Sequence, residues 1–120
     1  LEGVVNLNHW LEDLHLTHTW TIARGSSDVC KVNVVQLTDA TGVTGLGEAA
    51  PIRRYQESND TVAAFLARVD ARRLSFADVP GSMKYLDSVA PGNMAAKCAV
   101  NLALVDGAAR LRQQPVYDFF

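Results

Sequence analysis

The chain has 120 residues, 48% of them hydrophobic and 20% charged, and its 11 basic and 13 acidic side chains leave a net charge of -2. That is enough chain for one domain hiding roughly 65% of the surface that its unfolded form exposes. The balanced charge excludes the strong field that draws a nucleic-acid backbone or an anionic membrane, so no nucleic-acid partner and no membrane partner is expected.

The first half has the pattern of strands. Residues 4–16 are long but mixed, with Val5, Leu7 and Leu11 on one parity and Trp10, Leu14 and Leu16 on the other, which predicts a strand with a bulge or a change of face. "TWTIARGSSD" (19–28) carries the Gly-Ser-Ser-Asp cluster of a loop. "VCKVNVVQLT" (29–38) is rich in β-branched residues and predicts a strand, with Cys30, Val32 and Val34 on one side. "DATGVTG" (39–45) is a hairpin turn, and "VTGLGEAA" returns as a third strand loosened by glycine. Strands joined in sequence by short turns make an antiparallel meander over 4–49.

The second half has the pattern of helices, over 58–112. Val62, Phe65, Leu66 and Val69 recur at helical spacing, with Ser58 or Asp60 as the cap. "SFAD" from Ser75 is a short turn that Pro80 and Gly81 break. Met83, Leu86, Val89 and Ala90 mark a second helix, ended by Pro91 and Gly92, and Asn93 is the candidate cap of a third. From Met94 to Arg112 that third helix is apolar nearly all round, with Lys97 and Asn101 as its polar edge, so it is expected at the centre of a three-helix bundle. Three strands followed by three helices is a segregated α+β arrangement.

Several catalytic patterns fail on context. "GLGEAA" matches the letters of a dinucleotide fingerprint, but Pro51 follows and no helix starts directly behind it. His15 and His18 lie three apart on an extended segment, where residues so spaced point to opposite faces. The carboxylates lack metal-ligand spacing, and no Ser or Cys stands in a nucleophile elbow. Cys30 and Cys98 form no CxxC pair and are expected as two buried free thiols. No apolar run approaches the ~20 residues of a bilayer span. The N-terminal stretch lacks the basic start and apolar centre of a signal peptide, so a cytoplasmic location is expected. Leu1 is not an initiator Met, and "PVYDFF" ends on an apolar cluster, so the expectation is that the polypeptide continues.

Two polar segments remain, 19–28 with Trp20, Ile22 and Arg24, and 50–57 with Ile52, Arg53, Arg54 and Tyr55. In a three-strand meander they leave the ends of the first and third strands, which lie on the same side of the sheet. An arginine there can grip a carboxylate bidentately while the apolar and aromatic neighbours exclude water. Ordinary solvated loop charges are the competing account.

"TIARGSSD", "GLGEAAPIRRYQES" and "AAKCAVNLALVDGAARLRQQPVYDFF" together resemble, in order, the two mobile loops and the helix signature of the N-terminal capping domain of the enolase superfamily. The muconate-lactonizing subgroup fits best, and within it the dipeptide epimerases of the L-Ala-D/L-Glu epimerase type. Two positions depart from the pattern: Asn101 stands where an acidic residue is more usual, and Gly107 where a larger apolar one is. The resemblance implies a Mg²⁺-dependent isomerase that moves the α-proton of a dipeptide substrate through an enediolate. Its metal and acid/base lysines would belong to a C-terminal β/α barrel of the same protein, to which 115–120 begin the passage. It implies no catalytic residue and no metal ligand in this chain, which alone would be inactive, and it leaves open a homo-oligomer. Arg24 would hold a substrate carboxylate, and Ile22, Ile52, Arg54 and Tyr55 would line the lid. The alternatives are another reaction of the same subgroup (N-acylamino acid racemase, o-succinylbenzoate synthase or muconate cycloisomerase) or a stand-alone binding module without catalysis.

Overall fold

The computed structural model describes residues 4–22, 25–51 and 57–119, of which 14–22, 25–30 and 118–119 are described by backbone alone. Three strands form one antiparallel sheet in the order β1-β2-β3: β1 Val5–Ile22, β2 Gly25–Asp39 and β3 Thr44–Ala49. β1 pairs with β2 from Val5 opposite Asp39 to His15 opposite Val29. The register then slips, and pairing resumes from Trp20 opposite Ser27 to Ile22 opposite Gly25. The change of face expected within 4–16 is therefore absent from Val5 to His15, where the ladder is unbroken, and the irregularity lies beyond it, between His15 and Trp20. Segment 19–28, expected as a loop, is instead mostly ladder. Its Gly and Ser residues at 25–27 are tolerated because the partner strand, not their own propensity, sets the backbone.

The β2–β3 turn is built around Asp39. Its Oδ1 accepts the Thr41 N–H at 3.0 Å, the Thr41 hydroxyl at 2.7 Å and the Val43 N–H at 2.9 Å, while Gly42 takes the left-handed φ of 90° that the reversal needs. Burial acts to raise the Asp39 pKa. The Thr41 hydroxyl and the amides of Val43, Thr41 and Gly42 outweigh it and hold the carboxyl below its ordinary range.

Three α-helices follow. α1, Asn59–Arg68, starts at a capping box: Ser58 Oγ accepts the Thr61 N–H at 3.2 Å and Thr61 Oγ1 accepts the Ser58 N–H at 2.9 Å. Its Val62, Phe65 and Leu66 are buried, as the spacing predicts. α2, Val79–Val89, is capped by Asp78, whose Oδ1 accepts the Gly81 N–H at 3.0 Å. Pro80 and Gly81 therefore do not break the chain before this helix but lie within its first turn, where proline's missing N–H has no intrahelical partner to lose.

α3, Met94–Leu111, lies across β3 and packs against both other helices. The close approach is written in small residues on both sides. A Cβ on Gly45 would lie 2.6 Å from the Gly107 nitrogen and nearer still to the Ala103 carbonyl oxygen, and one on Gly47 would meet the Ala99 carbonyl. Gly107, the departure noted above, lies against the Phe76 ring, which a side chain at 107 would strike. Around this seam Val35, Leu37, Phe65, Leu66, Leu74, Phe76, Leu86, Val100 and Leu104 form one core.

Two further expectations for α3 change. Lys97 is not a polar edge: it is only 4% exposed, with Nζ 3.3 Å from Asp87 Oδ1 and over the Phe65 ring. Its long stem suits an apolar setting while the charged end reaches Asp87 at the surface. Cys98, expected as a buried thiol, is free and exposed, because it falls on the side of α3 turned away from the sheet and the other helices; the Cys30 side chain lies outside the described residues. Among the described residues no helix is long and apolar enough to cross a membrane.

Candidate functional site

The end of the sheet where β3 stops positions the candidate site. The last β2–β3 pair is Asn33 with Ala49, but β2 extends from there back to Gly25, paired with β1 alone. At ~3.3 Å per residue the eight positions 25–32 carry the β1–β2 ladder about 26 Å past the end of β3. β1 and β3 are parallel to each other across β2, so both strands run toward the same end of the sheet, β1 to Ile22 and β3 to Ala49.

Of the five residues that the resemblance assigns to substrate, Ile22 is placed by its backbone at the tip of the ladder, opposite Gly25. Arg24, Ile52, Arg54 and Tyr55, like Arg53, lie outside the described residues. What is described is the end of β3, after which 52–56 follow in sequence, and the base of the ladder that carries Ile22.

That platform is polar inside and tightly satisfied. Asn33, 1% exposed, donates through Nδ2 to Asn59 Oδ1 at 3.0 Å and to the Asn59 carbonyl at 3.3 Å, while Asn59 Nδ2 donates to the Lys31 carbonyl at 3.4 Å. A buried amide is retained only when its donors find acceptors, and here they tie the start of α1 to β2 at the level where β3 ends. Glu57 supplies a second tie. Its Oε1 accepts the Met94 N–H at 2.6 Å and its Oε2 the Ala95 N–H at 3.3 Å, which places a carboxylate on the positive end of α3. Asn93, the expected cap, holds the N-cap position in a left-handed conformation (φ 54°), but its side chain makes no cap bond and donates to the Pro91 carbonyl at 2.9 Å. Pro51, Glu57, Ser58, Asn59 and Asp60 enclose a hollow of about 260 Å³ between these ties.

Sequence reasoning missed both ties. Asn33 left a usable signal, a lone amide on the core parity of a β-branched run. Glu57 left none, since its partners lie far along the chain. A larger, mainly apolar groove of about 590 Å³ wraps the outer edge of β3, between Leu46 and Glu48 on one side and Leu102, Val105 and Val116 on the other. There Asp106 accepts the Leu46 N–H at 2.9 Å and pairs with Arg110 at 3.3 Å. Among the described residues no three His, Cys, Asp or Glu side chains converge as metal ligands.

Known proteins share this architecture. Residues 10–120 match the family model for the mandelate racemase / muconate lactonizing enzyme N-terminal domain. The L-Ala-D/L-amino acid epimerase of Pedosphaera parvula is 53% identical over 117 residues, covering 95% of this chain and 34% of that protein. Among solved structures, the substrate-liganded L-Ala-D/L-Glu epimerase of Bacillus subtilis superposes with a TM-score of 0.85 at 25% identity, covering 98% of this chain and 34% of the other. The dipeptide epimerase of Cytophaga hutchinsonii, complexed with Mg and the dipeptide D-Ala-L-Val, superposes with a TM-score of 0.82 at 26% identity, covering 97% and 33%. The chain thus spans about a third of the length of these relatives, and its 120 residues contain the strands and helices but no β/α barrel. By family match, sequence identity and fold, the chain belongs to the mandelate racemase / muconate lactonizing enzyme family of the enolase superfamily, of which it carries the N-terminal domain.

Proposed function

We propose that the chain is the capping and specificity domain of a Mg²⁺-dependent dipeptide epimerase, which takes the α-proton from one stereoisomer and returns a proton to the opposite face. The observation that carries this is the 53% identity to an L-Ala-D/L-amino acid epimerase across nearly the whole chain, and the common direction of β1 and β3 is consistent with it. The described residues do not fit a Mg²⁺ ion, so its ligands and the acid/base lysines are assigned to a barrel outside these 120 residues. In this reading Arg24 holds a substrate carboxylate with a charge-assisted fork, worth roughly 1.5–3 kcal/mol. Ile22, Ile52, Arg54 and Tyr55 close around the dipeptide and keep bulk water from the carbon that loses its proton.

The test is a dipeptide library incubated with the full-length protein and Mg²⁺ in D₂O. Epimerization with deuterium gained at one α-carbon is the expected result. Turnover confined to N-acylamino acids, succinylbenzoate precursors or muconates moves the assignment elsewhere in the subgroup, and no turnover of any of these supports a binding module.

A further inference from the structure

We propose that the apolar groove along the outer edge of β3 is the seat of polypeptide that follows residue 120 in the full-length protein, held there by apolar side-chain packing. The inference rests on the barrel assigned above and not on the reaction. Leu46 on the β3 wall and Leu102 on the α3 wall are 47% and 48% exposed, and Val116 lines the groove with them. The apolar surface continues onto the sheet: Val34, also in the groove, stands opposite Trp10 in the β1–β2 register, and Trp10 is itself exposed. An apolar surface of this extent, open to water on both walls, marks an interaction site and not an ordinary exterior.

Two observations name the occupant. In the relatives the matched part is an N-terminal domain and makes up about a third of the protein, so most of their polypeptide comes after it. In this chain the turn Val116–Phe119 follows α3 and brings Val116 into the groove, so polypeptide continuing from that turn starts at the groove itself. A segment tethered so closely meets its seat at an effective concentration on the order of millimolar, which a second copy in free solution does not match. The backbone of β3 adds the chemistry of the fit. The Leu46 N–H points away from β2, where an added strand would bond, and the Asp106 carboxylate, paired with Arg110, already accepts it. What the groove offers is apolar side-chain surface, and its occupant answers with the same.

The test places the photo-cross-linker p-benzoylphenylalanine at position 102 of the full-length protein, and at position 84, exposed on α2 and outside the groove, as control. Peptide mapping after irradiation is expected to join position 102 to residues beyond 120 of the same chain, at a yield about tenfold or more above that from position 84. Covalent dimers from position 102 make the occupant a second copy, links confined to 1–120 make it this domain itself, and a yield no higher than the control leaves the groove open. Each of these overturns the proposal. Leu102→Gln reads the packing without the probe, because Gln and Leu have similar helix propensity. Beneath an apolar cover the polar amide is buried, and the α3 amides are expected to exchange about tenfold faster. An increase below about threefold, as at a water-filled groove, overturns the packing. A chain that links position 102 beyond 120 but epimerizes no dipeptide refutes the proposed function and keeps the seat, whereas an active epimerase without that link does the reverse.

Discussion

Replacing Gly45 by Ala tests the contact on which the whole platform is built. The added Cβ would stand 2.6 Å from the Gly107 nitrogen, where ordinary contact begins at 3.4 Å, and the Ala103 carbonyl lies closer still. Every atom it meets belongs to a backbone, so no side chain can swing away. Either α3 recedes from β3 by about 1 Å, or the strand bends by as much. A gap of that size forfeits a quarter to a half of the dispersion attraction across it, and overpacked sites of this kind typically cost about 1–3 kcal/mol, sometimes more. Alanine's smaller entropy loss on folding returns about 0.5–1 kcal/mol. The net expectation is a loss of about 1–2 kcal/mol, concentrated where α3 meets the sheet. Native-state hydrogen exchange on the full-length protein reads that locally, as a fall of this size in the opening free energy of the α3 and β3 amides. Gly42→Ala is the control: it has open space and only a positive φ to strain, so it should cost about 1 kcal/mol and leave α3 exchange unaltered. If α3 exchange is unchanged in Gly45→Ala, or Gly42→Ala matches its effect, the backbone-contact argument is wrong.

Two other outcomes follow from the same structure, and a third from the proposed function. Lys97→Met keeps the stem's volume and removes a buried charge whose partner Asp87 is 70% exposed, so stability should stay within about 1 kcal/mol. Asp87→Ala, which strands the ammonium, should cost more, both read by urea denaturation. The Asp39 carboxyl has its folded pKa lowered from its ordinary value of 3.8, so its contribution is complete above that value and disappears as pH falls through the lower folded one. Asp39→Ala should therefore cost about 1–2 kcal/mol at pH 7 and progressively less in acid, and a cost independent of pH would refute the turn assignment. Arg24→Ala in the full-length protein should weaken turnover of acidic dipeptides more than of neutral ones, about tenfold or more in relative kcat/KM, and equal losses on both would remove the carboxylate-gripping role.

Local pattern made much of this architecture legible. The β-branched run before Asp39, the stripe of Val62, Phe65 and Leu66, and the alanine-rich course of α3 each describe an element whose burial follows from its own periodicity. The failures share a cause, which is that the deciding partner is distant in sequence. Ladder pairing overrode the turn-like chemistry of 25–27, the remote Glu57 displaced Asn93 as cap, and Asp87 with the Phe65 ring made room for a cation at Lys97 that periodicity alone would put in solvent. Pro80 is a different failure: the residue that breaks a helix in its interior is welcome at its start, and position within the element, not identity, decides which. For the candidate site, the common direction of β1 and β3 could be read from meander geometry, whereas the bonds of Asn33 and Glu57 around the end of β3 could not.

The seam between β3 and α3 also bears on how such domains can be recombined. Because Gly45 and Gly47 meet Ala99, Ala103 and Gly107 through main-chain atoms, strand and helix behave as a matched pair of surfaces. A chimaera that exchanges β3 with a relative while keeping the resident α3 inherits a mismatched fit, whereas grafts confined to the outer ladder beyond Asn33 leave that pair intact.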